Sequence, residues 1–330
     1  MNDSSPSPRS RRNRLGRYRI DGRSLAVAAF AIVYLVWGST YLGIRFAVET
    51  IPPFFLGAGR FLLGGTLLYA GLRFRRIPRP AAVHWKNALI SGTLLLGLGN
   101  GGVNWAEQRI ASGITALLIA GTPLWFALLD WARPQGTRPK LPAILGIVTG
   151  FCGVALLVNA SGRLGEKGLD PVGVVVVLFA GFCWAAGSLY ARYTPKPETP
   201  LMGIALQMLC GGLVLLLFGL AVGEGSRLHI SAISNRSALA FLYLTLFGSL
   251  IAFSAYGWLI KNTTPARLST YAYVNPVIAV FLGWALGGEA LTIGMLWAAL
   301  IILAGVALLT IRWNRVGRSK LIVAANAERA

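Results

Sequence analysis

Ten apolar runs, each about the length that crosses the ~30 Å hydrocarbon layer of a bilayer as a helix, recur along this 330-residue chain. They lie at 25–44, 54–72, 88–106, 113–131, 142–160, 171–191, 200–222, 237–260, 268–287 and 291–311. Only helices suit them, because backbone amides in lipid must be satisfied within their own segment and none of the runs alternates as a barrel strand does. Composition agrees: 55% of residues are hydrophobic and only 13% charged, against roughly a quarter charged in soluble domains. The expected fold is an all-α membrane protein with ten transmembrane helices in a single membrane domain.

The charge could point elsewhere. A formal net charge of +20 suits a nucleic-acid partner, since Lys and Arg neutralise phosphates. Placement decides against it, because the cations sit in short segments between apolar spans, as they do in loops that face anionic lipid on the cytoplasmic side. With an even number of spans, 24 of the 31 Lys and Arg fall on the side of the termini. Six fall on the other side (Arg45, Arg109, Arg163, Lys167, Arg227 and Arg236), and Arg60 alone lies well inside a span. Both termini are therefore expected in the cytoplasm of a multi-pass inner-membrane protein. Residues 1–24 are polar, Pro/Ser-rich and basic, which predicts a disordered tail, and 312–330 form a second cytoplasmic tail. The first span is too long for a signal h-region and reads as uncleaved.

The halves resemble each other. GTPLWFALLDWA (121–132) aligns with VNPVIAVFLGWA (274–285), pairing Pro123 with Pro276 and Trp131 with Trp284, and GVALL occurs at 153–157 and 305–309. VWGSTYL (36–42) and CWAAGSLYA (183–191) open the two halves with a Trp followed by a Ser and a Tyr. Two repeats of five spans, 25–160 and 171–311, must insert in opposite orientations because five is odd. That is the inverted-repeat plan of many secondary transporters, whose site lies at the repeat interface near the midplane.

Several stretches carry a closer likeness: VWGSTYLGIRFAVETIPP (36–53) with AGRFLLGG (58–65), GNGGVNWAEQRIASGITALL (99–118), FGSLIAFSAYGWLI (247–260) and STYAYVNPVIAVFLGWALGGEALT (269–292). On these the chain resembles the drug/metabolite transporter superfamily, in its EamA-domain branch, and within it the YedA-like exporters. The resemblance implies two inverted five-helix EamA repeats, cytoplasmic termini, and export of amino acids, related metabolites or toxic compounds. The long basic N-terminal tail departs from the pattern and leaves its own role open.

Individual residues nominate a cavity. Arg60 is a cation inside a span and needs an anion, carbonyls or water; it contacts an anionic substrate group or a gating partner, or else clamps helices. Asn100 and Asn104, spaced i, i+4 in the glycine-rich third span, share a face that either lines a polar path or bonds a neighbouring helix. Trp37 with Tyr41, Trp184 with Ser188, and Tyr271 with Asn275 repeat that spacing. Aromatic rings with polar tips suit amphipathic or cationic solutes, and equally an interfacial belt. Tyr256 joins them as a further cavity candidate. Pro123 and Pro276 fall in matched spans, as hinges for alternating access or as simple helix-shaping kinks.

Other chemistries find little support. Acids such as Glu49, Glu224 and Glu289 sit at span ends or in loops, which argues weakly for facilitated flux or exchange over tight proton coupling. Glu107, closing the third span, is the best exception and otherwise reads as a solvated loop acid. GLGNGG (97–102) lacks the Lys-Ser/Thr ending of a phosphate-binding loop. Cys152, Cys183 and Cys210 lie in apolar runs as packing residues, and His84 and His229 stand alone in expected loops, so neither a disulfide framework, a metal site nor a cofactor is expected. The Gly-x3-Gly pairs at 146–150 and 283–287 read as close packing within the chain. The leading reading is a non-enzymatic exporter of small molecules, monomeric or homodimeric, with the lipid bilayer and a small-molecule substrate as partners and no nucleic acid. The alternative is a membrane-embedded enzyme acting on lipid-linked substrates.

Overall fold

Prolines and short polar side chains set where most helices of this chain begin. In the computed structural model, which describes residues 22–134, 141–162, 170–263, 265–268 and 270–308, no residue is in a strand. The two tails and part of the 161–170 loop lie outside the described residues. Helix α1 (Gly22–Ala47) leads through Pro52 to α2 (Pro53–Phe74), which starts on a proline that gives up no needed N–H. Then follow α3 (Ala82–Gly92), a π-helical stretch (Thr93–Asn100), α4 (Gly101–Ala106), α5 (Ser112–Ile119), α6 (Thr122–Ala132) and α7 (Leu141–Gly162). The chain continues with α8 (Pro171–Tyr193), α9 (Pro200–Ala221), α10 (Glu224–Arg227), α11 (Asn235–Tyr243), a second π-helical stretch (Leu244–Ile251), α12 (Ala252–Asn262), α13 (Pro265–Leu268) and α14 (Tyr271–Gly287). A last apolar helix, α15, spans Ile293–Leu308. His84 stands in the first turn of α3 rather than in a loop, where its Nδ1 accepts the Ala81 N–H at 3.2 Å.

Among the described residues, seven helical segments are long and apolar enough to cross a membrane, counting 112–132 and 235–262 as single segments. Residues 271–287 and 293–308 add two shorter apolar helices. Large apolar side chains face outward along them: Leu217, Phe281, Trp284 and Trp297 are all more than half exposed. A water-soluble fold does not present such a surface, whereas lipid requires it.

Glycines let the helices approach. A Cβ on Gly211 of α9 would stand 2.7 Å from the Gly92 carbonyl oxygen of α3, and one on Gly305 of α15 would stand 2.5 Å from the Gly150 amide of α7. Gly150 belongs to the 146–150 pair, so that motif packs helices within this chain. Where tight turns need a left-handed residue, Gly223 (φ 80°) follows α9 and Gly288 (φ 66°) follows α14.

The polar contacts between helices sort the loops into two ends. At one end, Arg45 reaches the Glu107 carbonyl, Ser237 donates to Phe46, Glu224 meets α2, Glu289 meets α5 and Arg109 pairs with Asp170. This acidic end holds Glu49, Glu107, Asp170, Glu224 and Glu289. At the opposite end, Asn87 donates to the Pro195 carbonyl and Arg133 to the Tyr193 hydroxyl.

Candidate functional site

A cavity of about 140 Å³ opens between α1, α2, the first π-helical stretch, α4, α5, α6, α8, α12 and α14. One ordered water needs roughly 10–15 Å³ on this measure, so the space admits a small organic solute. Trp37, Tyr41, Arg60, Asn100, Trp184, Tyr271 and Asn275 line it, with Pro123 and Pro276. Asn104, Ser188 and Tyr256 do not.

Each departure has a local cause. In an α-helix four residues turn about 400°, so Asn104 sits about 40° round from Asn100. Its amide there donates to the Pro53 carbonyl at 3.2 Å, and its buried Oδ1 has no hydrogen-bond partner among the described residues. Tyr256 stands behind the wall, its ring 5.0 Å from that of Trp37 and 6.0 Å from that of Tyr271. Ser188 lies one turn past Trp184 on α8, half-buried and off the lining.

The aromatic wall is fixed from the second half of the chain. Trp37 packs edge-on against Phe253 and Tyr271 at 5.1 and 5.4 Å, and its indole N–H donates to the Gly248 carbonyl at 3.3 Å. That carbonyl lies in the second π-helical stretch. Lost rotamer freedom is already spent, so Trp37 is a rigid wall for an apolar body.

Among the described residues, Arg60 is the one charged side chain on the lining. It is 3% exposed. Its Nε donates to Ser249 Oγ at 2.7 Å, its guanidinium lies 4.9 Å from the Phe61 ring centre, and its Nη1 has no hydrogen-bond partner among the described residues. A buried guanidinium with an unspent N–H group costs free energy until an acceptor arrives, and its planar fork matches a carboxylate or phosphate.

Pro123 and Pro276 differ in setting. Pro123 lies in the first turn of α6, just after a break between Ala120 and Thr122, while Pro276 lies inside the continuous α14. The sequence alignment treated them as equivalents; the first opens a helix and the second interrupts a hydrogen-bond ladder.

Reading the sequence alone passed over Thr40, Thr122, Phe126 and Phe253, which also line the cavity, and Ser249, which holds Arg60. Thr40 and Thr122 adjoin residues that were singled out, so a search one position either side would have found both. Phe253 has no such signal.

Glu49 of the acidic end pairs with Arg236 at 3.3 Å, and the other four carboxylates separate into two kinds. Glu224 accepts the Phe54 and Phe55 amides at 3.1 and 2.8 Å, so it clamps the start of α2. Glu289 accepts the Ser112 amide and hydroxyl, both at 2.7 Å, and the Gly113 amide at 2.9 Å, clamping the start of α5. Asp170 caps its own helix through the Val172 amide at 2.9 Å and pairs with Arg109 at 2.9 Å. Helix N-termini favour such anions through their free N–H groups and dipole. Glu107 is the exception. It lies one residue past α4, is fully buried, and neither carboxylate oxygen has a hydrogen-bond partner among the described residues. The expectation of a solvated loop acid is therefore corrected: the side chain is buried, with Arg45 of α1 bonded to its backbone carbonyl and Glu289 of the loop after α14 acting on it electrostatically. Burial first, then the neighbouring Glu289, pushes its carboxyl well above the usual carboxylate range, with Arg45 acting against them.

Among the described residues no cluster of His, Cys, Asp and Glu is arranged to hold a metal ion.

Comparison with known proteins adds a family. The model of the EamA-like transporter family matches twice, at 24–159 and 171–311. The chain is 40% identical over 287 residues to the "Uncharacterized inner membrane transporter YedA" of Escherichia coli (strain K12), covering 86% of this chain and 90% of that protein. It is 26% identical over 289 residues to the "Probable amino-acid metabolite efflux pump" of Salmonella typhimurium (strain LT2), covering 83% and 91%. A crystal structure of a protein 21% identical superposes with a TM-score of 0.61 over 89% of this chain and 99% of that one, which shows a shared fold.

Proposed function

This chain belongs to the EamA-like transporter family, and from that premise we propose that it is an inner-membrane exporter of small metabolites, amino acids or related compounds, or drugs. It works by alternating access around the cavity. The observation that carries the reading is the pairing of an unspent, buried Arg60 guanidinium with a wall of Trp37, Tyr41, Trp184 and Tyr271 in one space. That combination takes an anionic head on an apolar or aromatic body, as in an apolar amino acid.

The working architecture is ten spans in two inverted repeats, 25–160 and 171–311, with both termini cytoplasmic and the acidic end outside. In this arrangement 82–106 forms the third span, 112–132 the fourth and 235–262 the eighth. The matched positions of the two π-helical stretches, in the third and eighth spans, support equivalence of the halves. Positive charge supports the orientation, since the acidic end carries few Lys and Arg. The names of the relatives favour a carrier over a catalyst. Pro276, inside α14 and on the lining, is the better placed of the two prolines to act as a hinge.

Efflux of labelled phenylalanine and a labelled organic cation from preloaded proteoliposomes tests the proposal. Phenylalanine flux that Trp37→Ala and Arg60→Ala both remove, with the cation moving slower, is the expected result. Flux unaffected by either substitution would place the path elsewhere.

A further inference from the structure

Along the first π-helical stretch and α4, Asn100, Val103 and Glu107 follow one another at spacings of three and four residues, and the first two line the cavity. Glu107 therefore caps the acidic end of the space, one turn beyond its last lining residue on that helix. On α1, Tyr41 lines the same end, and Arg45 lies one turn further on. Arg45 spends an N–H on the Glu107 backbone carbonyl at 2.6 Å and does not reach within 4.0 Å of its carboxylate. The titratable and charged groups facing Glu107 are Tyr41 and Arg45 from α1 and Glu289 from the loop after α14. From α2 and α8, the other elements packed on α4, no charged group joins them among the described residues.

A bare carboxylate in that setting is costly. It would be buried without a donor, beside a second carboxylate whose oxygens are held by the first turn of α5. The neutral acid removes both penalties. Opening the acidic end would hydrate the group, restore its preference for the charged form and leave Arg45 free to pair with it.

We propose that Glu107 is a proton-binding site of the transport cycle, loaded while the acidic end is closed and emptied when that end opens to water. The inference rests on reading the cavity as the transport path. It makes net flux depend on a pH gradient even though, among the described residues, no carboxylate lines the cavity itself.

Two measurements on the full-length protein decide it. The first is the infrared carbonyl band of a protonated carboxyl, recorded for the purified protein at neutral pH. It is expected in the wild type and expected to be lost in Glu107→Gln, which keeps the shape of the neutral acid. The second is phenylalanine flux in proteoliposomes, as net efflux with and without a pH gradient and as counterflow without one. The gradient should speed net efflux about tenfold in the wild type, within the usual range of coupling between two sites. In Glu107→Gln the ratio should fall to about one with counterflow retained, and Glu107→Asp should recover part of it.

Wild-type counterflow with no infrared band overturns the proton site alone. A gradient response that survives in Glu107→Gln overturns the coupling. A Gln variant that elutes as a single folded species but supports neither efflux nor counterflow assigns Glu107 a structural role and overturns it too. No counterflow in the wild type, with the band intact, removes the transport reading first and the coupling with it.

Discussion

The two π-helical stretches, Thr93–Asn100 and Leu244–Ile251, are the same backbone device put to different uses. The first turns its own residues, Gly99 and Asn100, onto the cavity. The second contributes none of its residues to the lining; its Gly248 carbonyl holds Trp37 and its Ser249 hydroxyl holds Arg60, both from the first half. The prolines show a similar divergence, one opening α6 and the other interrupting α14. A repeat thus fixes where helices loosen, while the side chains that exploit each loosened turn are free to differ. At these two positions the first half supplies the recognising group and the second half aims it, while Trp184 and Tyr271 of the second half line the cavity as well.

The largest effect should come from breaking that division of labour at Arg60. Losing a charge-assisted bond to a solute costs about 1.5–3 kcal/mol, or roughly 10- to 100-fold in rate of phenylalanine efflux for Arg60→Ala. Arg60→Lys keeps the charge without the fork and should fall between. Ser249→Ala removes only the aiming bond, worth about 1 kcal/mol or about fivefold. Equal losses in Arg60→Ala and Ser249→Ala would mean that the guanidinium recognises nothing unless Ser249 aims it. Gly248→Ala sharpens the same point: the new methyl would stand 3.2 Å from Arg60 Nη2 and from Thr40 Cγ2, so it should tilt the guanidinium and mimic Ser249→Ala.

Much of this was legible in the sequence, for identifiable reasons. Apolar runs and the 121–132 and 274–285 match follow from what lipid demands of a backbone, so they survive in composition and spacing. Arg60, Trp37, Trp184 and Tyr271 were nominated as lining because a charge or an amphipathic ring inside a span needs a polar or wet partner, although a helix clamp or an interfacial belt would meet the same need. The π-helical stretches were not. TLLLGLGN and LTLFGSLI carry no period that distinguishes i→i+5 from i→i+4 bonding, and packing against neighbouring helices selects it. Asn104 follows the second of its two readings, bonding a neighbouring helix, because it sits about 40° round from Asn100 and α2 offers a carbonyl there. Glu107 looked solvated because a carboxylate at the end of a span gives no sign of what folds over it.

The acidic end offers the next contrast, between the clamps on two helices of the first half. Glu289 accepts from three donors and Glu224 from two. Each comes from the second half, so both continue the pattern of one half steadying the other. Replacing either by Gln weakens charge-assisted bonds by about 1–2 kcal/mol in sum, a drop of a few degrees in Tm in detergent, with Glu289→Gln the larger. If Glu224→Gln is instead the more damaging, the N-terminus of α2 bears more of the fold than the start of α5.

Smaller still is the contrast between prolines. Pro276→Ala restores a backbone donor inside α14 and should change phenylalanine efflux a few-fold with little change in Tm, because it acts on gating. Pro123→Ala, in the first turn of α6, should leave both nearly as they are. A stronger effect at Pro123 would make the break after Ala120 the moving joint of the fourth span.

The smallest effect is expected at Asp170, the one acid of this end that caps the helix it precedes. Its carboxyl is held below the usual range, first by the Arg109 hydrogen bond and then by the Val172 and Gly173 amides. A depressed folded value means that the contribution to stability is present above the unfolded value, about 3.9, and is lost as pH falls through the folded one. Arg109 is 47% exposed, so solvent screens the pair. Asp170→Ser keeps a capping oxygen and removes only the ion pair, and should leave Tm at neutral pH within experimental scatter while flattening the loss of stability below pH ~4. Asp170→Ala removes the cap as well and should lower Tm measurably. If the Ser variant falls as far as the Ala variant, the bridge to Arg109 rather than the cap ties α8 to the loop after α4. Stability there would then come from a contact between the halves, as it does at Glu289.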